Sequence, residues 1–242
     1  MRFKRKGNTV AEEFQISPIL ALILWRNGGG CLFLELDLVL AEPDELLVAI
    51  IKHSLTLKKK YIFSSDRLGF RNWEKEDLSE FAKINADLEV MEHFLNPLSI
   101  EESSEFIDRL QRHYAKHGFN YFAVEILETE ELIGFIGLTY QEYESEFTPA
   151  VDIGWRLKRS AWGKGYATEG AKRCLQFGFE ELGLESIIST CTQKNLKSEK
   201  VMEKIGMMKK GEFNHPKLKA YPEYEKCLCY SISKSEWRIP SF

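Results

Sequence analysis

The stretch from Val151 to Glu169 constrains this chain most. Its first half, Val151 to Leu157, carries the β-branched and aromatic residues of a strand. Ala167, Ala171, Cys174, Leu175, Gly178 and Leu182 then recur at the spacing of one helix face. Between them lies Trp162-Gly163-Lys164-Gly165. A strand that enters a helix through a glycine turn leaves the first helical N–H groups without partners and directed outward. Together with the positive end of the helix dipole, those donors make an anion site. Lys158, Arg159 and Lys164 add positive charge in a chain whose formal net charge is -4. A phosphate-bearing ligand suits this arrangement, although a plain strand–helix turn with a solvated basic rim uses the same residues.

Of two familiar phosphate motifs, one fails and the other is weak. A Walker loop needs G-x-x-x-x-G-K-[ST], whereas here the lysine lies between the glycines and Tyr166 follows. A dinucleotide fingerprint needs a third glycine and an acid at the end of the next strand. Thr168 stands at the glycine position, and the next predicted strand, Ser186 to Thr192, ends without an acid. This argues against a nucleotide-dependent oxidoreductase.

The wider sequence resembles the GNAT superfamily of acetyl-CoA-dependent N-acetyltransferases, and within it the RimJ/RimL-type branch, whose members acetylate ribosomal-protein N-termini. The segments that carry the resemblance are Asp66-Arg67-Leu68-Gly69-Phe70-Arg71-Asn72-Trp73, Glu76-Asp77-Leu78, Asn85 to Met91, Ile133-Gly134-Phe135-Ile136-Gly137, Ile153-Gly154-Trp155, Trp162 to Glu169, Asn195 to Ser198, and Glu203 to Met207. They occur in the family's order over residues 64–238. The resemblance implies an α/β fold, a central twisted and mostly antiparallel sheet flanked by helices. Its fourth and fifth strands splay apart to admit the pantetheine arm of acetyl-CoA. An N-acetyltransferase domain over 64–238 would then follow an appended segment, 1–63, and precede a tail, 239–242.

Composition agrees with a soluble globular chain, for which 44% hydrophobic and 29% charged residues are ordinary. Mild acidity argues against a general nucleic-acid binder, which would show a strongly basic face. Five cysteines without framework spacing point to reduced thiols and a cytoplasmic location. Cys227 and Cys229 fall on one face of a strand; a zinc site with His215 is conceivable, but no metal is expected. In the appended segment, Arg2, Lys4, Arg5 and Lys6 precede an apolar run from Ile16 to Trp25. Pro18 interrupts the run, which falls short of the roughly 20 residues a bilayer span needs. Leu32 to Leu40 alternate like a strand, and Pro43-Asp44-Glu45 opens a predicted helix ending near Lys60. A peripheral membrane tether is the alternative role for this segment.

Along the domain, the pattern predicts a strand from Leu68 to Trp73, a helix from Leu78 through Asn85, and a second short helix through Leu95. Ser99 and Glu102 form a capping box for a helix that reaches His117 and closes at Gly118. On it, His113 reads as a packing residue. Strands Tyr121–Leu127 and Leu132–Tyr140 form a hairpin, with Gly134 and Gly137 marking close backbone approach or a bulge. An acidic loop, 141–149, follows. Further on come strand Ser186–Thr192, a helix from Leu196 to Ile205, and closing strands Met207–Phe213 and Cys227–Ser233. The long loop 214–226 between the closing strands has the length of a functional loop.

Acetyl transfer to an amine needs a neutral nucleophile, donors for the developing oxyanion and a proton for the departing thiolate. Asp152, where related enzymes carry glutamate, is the candidate base; Glu142 and Glu144 are alternatives. The resemblance assigns oxyanion donors to the backbone at Trp155, Arg156 and Leu157. It assigns acetyl-CoA binding to these residues and to Trp162, Gly163, Lys164, Gly165, Tyr166, Ala167, Thr168 and Asn195. The tyrosine that many superfamily members use as general acid is Met202 here; the resemblance to the RimJ/RimL-type branch assigns Ser198 instead, as proton donor or thiolate partner. Ser160 departs from the broader glutamine-or-arginine pattern. Lys194, Lys197 and Lys200 flank the same helix as candidates for the ribose phosphate or as a solvated edge. The expected partners are acetyl-CoA and an amine acceptor, a peptide N-terminus or a small molecule, with no nucleic acid or integral membrane association and with a homodimer compatible. A silent acyl-CoA-binding module of the same fold is the rival reading.

Overall fold

The computed structural model of the protein describes residues 60–237. The expected strand at Leu32–Leu40, the helix from Pro43 and the membrane-tether role of the appended segment lie outside the described residues. Eight strands form one sheet in the order β1-β2-β3-β4-β5-β6-β8-β7. They are β1 Phe63–Ser64, β2 Leu68–Arg71, β3 Tyr121–Ile126, β4 Glu131–Gln141, β5 Ala150–Leu157, β6 Ser186–Thr192, β7 Met208–Asn214 and β8 Lys226–Ser233. Every adjacent pair is antiparallel except β5 and β6, which are parallel. The mixed, mostly antiparallel sheet expected from the sequence is therefore present. The expected fourth and fifth strands are β5 and β6, because the two-residue β1 precedes them.

The splay is visible in the register. β4 and β5 pair from Gly134↔Leu157 to Gln141↔Ala150, and β6 and β8 pair from Ser186↔Ser233 to Thr192↔Cys227. β5 and β6 share one register pair, Asp152↔Ile188. The two strands part after that point.

Helices cover both faces: α1 Leu78–Ala86, α2 Ile100–His117, α3 Tyr166–Gln176, α4 Leu196–Lys204 and the short α5 Pro222–Glu225. On one face α1 and α2 bury Phe81, Ile107 and Leu110 against Trp73, Ala123 and Phe135. On the other face α3 and α4 bury Ala171, Cys174, Leu175 and Met202 against Phe70, Phe122, Ile136 and Ile153. Alternation along β5 thus sends Ile153 and Leu157 into the α3 core and turns Asp152, Gly154 and Arg156 toward the α1–α2 side.

The local signals work as read. Ser99 accepts from the Glu102 N–H while the Glu102 carboxylate takes the Ser99 N–H, and Gly118, at φ 77°, closes α2. His113 donates through Nδ1 to the Phe119 carbonyl and accepts the Tyr140 N–H at Nε2, so its neutral form ties α2 to β4. Burial pushes its pKa down, which agrees with that role. Cys227 and Cys229 share one buried face with Ile188 and Phe213, under Tyr143 and Phe147 of the acidic loop.

One expected helix does not form. Residues 87–96 make turns instead, because the Asp87 carboxylate takes the N–H groups of Glu89 and Val90 and competes with the helical ladder. The loop 214–226 also carries more order than expected, with a 3₁₀ turn at Pro216–Leu218 and α5. The described packing begins ahead of residue 64. Phe63 stacks on Phe70 and Phe177, both at 4.6 Å, and Tyr61 donates to Glu125 at 2.6 Å. Glu125 and Asp77 together clasp the buried Arg71. Among the described residues, no helix is long and apolar enough to cross a membrane.

Candidate active site

The glycine turn leads into α3 as the sequence suggests. Gly163 and Gly165 have φ of 73° and 83°, in the left-handed region that glycine enters without a Cβ penalty. Gly165 is the N-cap of α3, and no side chain caps the helix. The first backbone bond into this cap is Glu169 N–H to Gly165 O at 3.0 Å. The donors of Tyr166, Ala167 and Thr168 precede it, as an anion site requires. Trp162 closes the turn from beneath by donating to the Leu157 carbonyl at 2.8 Å.

The charges around this turn are distributed differently from the sequence reading. Lys158 pairs with Glu131 and Arg159 with Glu89, so neither stands free at the turn. Lys164 has no ion pair among the described residues, and Lys197 lies 4.4 Å from the Trp162 ring. Glu169, one turn into α3, would repel an anion, but Arg67 neutralises it. The Arg67 guanidinium meets Glu169 Oε2 at 2.6 Å, donates to the Lys164 carbonyl at 3.1 Å and lies over the Tyr166 ring at 4.6 Å. Ser65 adds a 2.7 Å hydrogen bond to the same carboxylate. Arg67 and Ser65 were not among the expected site residues, since nothing in a linear pattern links them to a position about a hundred residues away. A groove of about 670 Å³ runs along the outer side of α3, touching Gly165, Thr168, Lys172, Arg173 and Lys204.

The gap between β5 and β6 opens directly above the turn. Ser189 Oγ donates to the Ile153 carbonyl at 2.8 Å, and Trp162 takes the Leu157 carbonyl. Alternate residues of a strand present their backbone groups to the same edge, so the Trp155 N–H and C=O face the gap between those two anchors. Trp155 is half-buried and Leu157 is buried in the α3 core.

Asp152 sits at the last rung before the gap. Its carboxylate is buried and receives the Tyr121 hydroxyl in a short hydrogen bond. Burial raises its pKa to about 7, while hydrogen bonds from Tyr121, the Thr190 backbone and Gln141 hold it down from going higher. Burial, then the Asp152 charge, pushes the Tyr121 phenol well above its ordinary value, so the phenol stays a donor. Tyr121 escaped the sequence reading, but one signal was present. Gly137 and Gly154 lie opposite each other in β4 and β5, and a Cβ on Gly154 would stand 2.9 Å from the Tyr121 oxygen. Paired glycines on adjacent strands make room for a large ring. Glu142 and Glu144, the alternative bases, are exposed on the acidic loop.

Arg156 was expected with the cofactor residues, and its backbone is on β5 beside the turn. Its side chain goes to the other face. There the guanidinium donates to Asn85 Oδ1 at 2.7 Å and lies 4.1 Å from the Phe94 ring, with Phe106 and Phe135 at 5.5 and 5.4 Å. Burial lowers its pKa to about 10, which leaves it charged at neutral pH.

At the start of α4, Asn195 Oδ1 accepts the Ser198 N–H at 3.0 Å and so serves as the N-cap. Its amide Nδ2 remains a donor. Ser198 is half-buried, and its hydroxyl has no hydrogen bond within the described residues. Met202 is 1% exposed in the core, and its thioether has no proton to give. Lys194 and Lys200 are exposed. No group of His, Cys, Asp or Glu among the described residues could hold a metal ion.

These features have counterparts in known proteins. Residues 67–208 match the family described as Acetyltransferase (GNAT) domain. The chain is 31% identical over 175 residues to the uncharacterized N-acetyltransferase YnaD of Bacillus subtilis (strain 168), a match covering 72% of this chain and 98% of that one. It aligns with a GNAT-family acetyltransferase of Bacillus anthracis at a TM-score of 0.58 and 30% identity, over 71% of this chain and 98% of the other. In fold alone it is also similar to the spermidine N-acetyltransferase of Vibrio cholerae in complex with CoA and spermine. That match has a TM-score of 0.55 and 22% identity and covers 70% of this chain and 97% of that structure.

Proposed function

The chain belongs to the GNAT acetyltransferase family, and from that premise we propose that it transfers the acetyl group of acetyl-CoA to a primary amine by direct attack on the thioester. One observation carries this reading: an uncapped helix N-terminus behind a glycine turn, next to a sheet that parts after a single parallel rung. The family uses acetyl-CoA as co-substrate, and the residues present suit it. The N–H groups of Tyr166, Ala167 and Thr168, with Gly163, Lys164 and Gly165, meet the diphosphate. Trp155 offers backbone groups to the arm that enters the gap, Trp162 and Leu157 floor it, and Asn195 Nδ2 donates from the facing helix.

Asp152 then takes a proton from the acceptor ammonium, whose nitrogen attacks the acetyl carbonyl. The Trp155 N–H faces the charge that develops on the carbonyl oxygen. As the carbon–sulfur bond breaks, Ser198 supplies a proton to the departing thiolate and regains one from solvent, while the amine nitrogen gives its second proton to solvent as the amide forms. A base with a pKa near 7 is matched to an α-amino group, whose reference pKa is about 7.7–8.0. We further read the acceptor as an α-amino group of the kind the RimJ/RimL-type branch acetylates, or a small amine with similar basicity. The Asn195–Ser198 spacing and the Trp162–Glu169 segment support that branch.

The test is a screen with radiolabelled acetyl-CoA against peptides, polyamines, amino acids and aminoglycosides, run beside isothermal titration with acetyl-CoA. Label transfer with thiol release is the expected outcome. Tight binding with no acceptor-dependent release would identify a silent binding module instead.

A further inference from the structure

The α1–α2 face holds a buried charge that the acetyl-transfer scheme leaves unused. Arg156 is 7% exposed, yet no carboxylate among the described residues lies within salt-bridge distance of it. A guanidinium carries five N–H donors in a planar fork. Within the described residues, one hydrogen bond satisfies it, to the neutral Asn85, and its Nε is buried with no acceptor at all. The three aromatic rings around it attract a cation through their faces, but they offer no lone pair to an N–H. The position therefore has the cost of a buried cation without the acceptor that would offset it.

Its surroundings tie it to Asp152. Arg156 is on the same face of β5 as Asp152, four residues or roughly 13 Å along the strand. Between them the missing Gly154 side chain leaves the Tyr121 ring as the wall. On the solvent side stands Phe94, 39% exposed, in the turns of residues 87–96. The Arg159–Glu89 pair holds that segment across the end of β5.

We propose that Arg156 is the acceptor-recognition residue, and that the acceptor is an amine that also carries a carboxylate, which docks on the guanidinium fork beside Phe94 while its amine faces Asp152. This rests on the acetyltransferase reading above and narrows its substrate class. The carboxylate completes the guanidinium with two charge-assisted hydrogen bonds. The same charge repels a polyamine from the guanidinium.

The carboxylate can belong to a small molecule or to an acidic residue of a peptide, so the experiment has two arms. Acetyl transfer is measured for glycylglycine, whose amine is of the α-amino type, against its carboxamide, and for a short peptide with glutamate in second position against the same peptide with glutamine. The wild-type protein should favour the acid over the amide by about 10- to 100-fold in kcat/KM in at least one arm. In Arg156→Gln that ratio should fall to about 1. Should Arg156→Gln fail to fold, Arg156→Lys keeps the charge without the fork, and it should cut the ratio several-fold. Transfer with a ratio near 1 in both wild-type arms, transfer confined to amines without a carboxylate such as spermidine, or a ratio that survives both substitutions would overturn the proposal and leave acetyl transfer standing. Absence of transfer to any amine, together with absence of acetyl-CoA binding, would overturn the acetyltransferase reading itself.

Discussion

Asp152 shows how one residue can be set for chemistry at a cost to stability. Its folded pKa of about 7 lies above the unfolded value near 4, so the native state holds the proton more tightly. Stability from this group is full below about pH 4 and is lost as pH rises through 7. Asp152→Asn should therefore raise the melting temperature at pH 8, by a gain of at most about 4 kcal/mol, and leave it unchanged at pH 3. The same substitution should lower kcat/KM by about 10²- to 10⁴-fold. In the unmodified protein kcat/KM should climb as pH passes 7; a flat profile would remove Asp152 as the base. Ser198→Ala should slow turnover while acetyl-CoA affinity, read by calorimetry, stays the same, and an unchanged rate would take Ser198 out of the mechanism. Asp152 and Ser198 were named in the sequence because they stand where the family it resembles carries functional side chains. Tyr121 and Arg67 were not, because their roles depend on strand register and on a contact between distant segments. Arg156 was named from its backbone position, and only alternation along β5 reveals where its side chain goes.

At the scale of elements, the strand–turn–helix unit from Ala150 to Gln176 behaves as its residues dictate. Both glycines of the turn adopt positive φ, and the helix begins without a cap. Gly165→Val should abolish acetyl-CoA binding, since a β-branched side chain resists φ of 83°. Calorimetric affinity that survives this change would place the diphosphate elsewhere. Asn195 has a measurable structural role beside its proposed binding role. Asn195→Ala should cost about 1 kcal/mol in chemical denaturation through loss of the α4 cap. The helix predicted through Leu95 failed for the same kind of reason that the α2 capping box succeeded. Short polar side chains compete for backbone donors, and at Asp87 they win before a helix can start. Apolar spacing alone carries no record of that competition.

For the whole molecule, a mostly antiparallel sheet flanked by helices was legible once the segments were recognised in order, whereas the strand order and the single parallel ladder emerge only from the register. The point where packing begins was not legible either. Tyr61 and Phe63 are buried against β2, β3 and the turn after α3, although they lie upstream of the segments that carry the resemblance. We propose that the acetyltransferase unit starts near residue 60. Removal of residues 1–59 should preserve acetyl transfer. Removal of 1–63 should destabilise the fold by about 3–5 kcal/mol from Phe63 alone, measured by denaturant unfolding. The single rung between β5 and β6 has a mechanical consequence. The sheet is two panels sewn by one stitch at Asp152 and Ile188, with the apolar layer under α3 as their common backing. Backbone deuterium uptake should be fast along the seam at Trp155, slow in both panels, and quenched at the seam when the thioester substrate fills it.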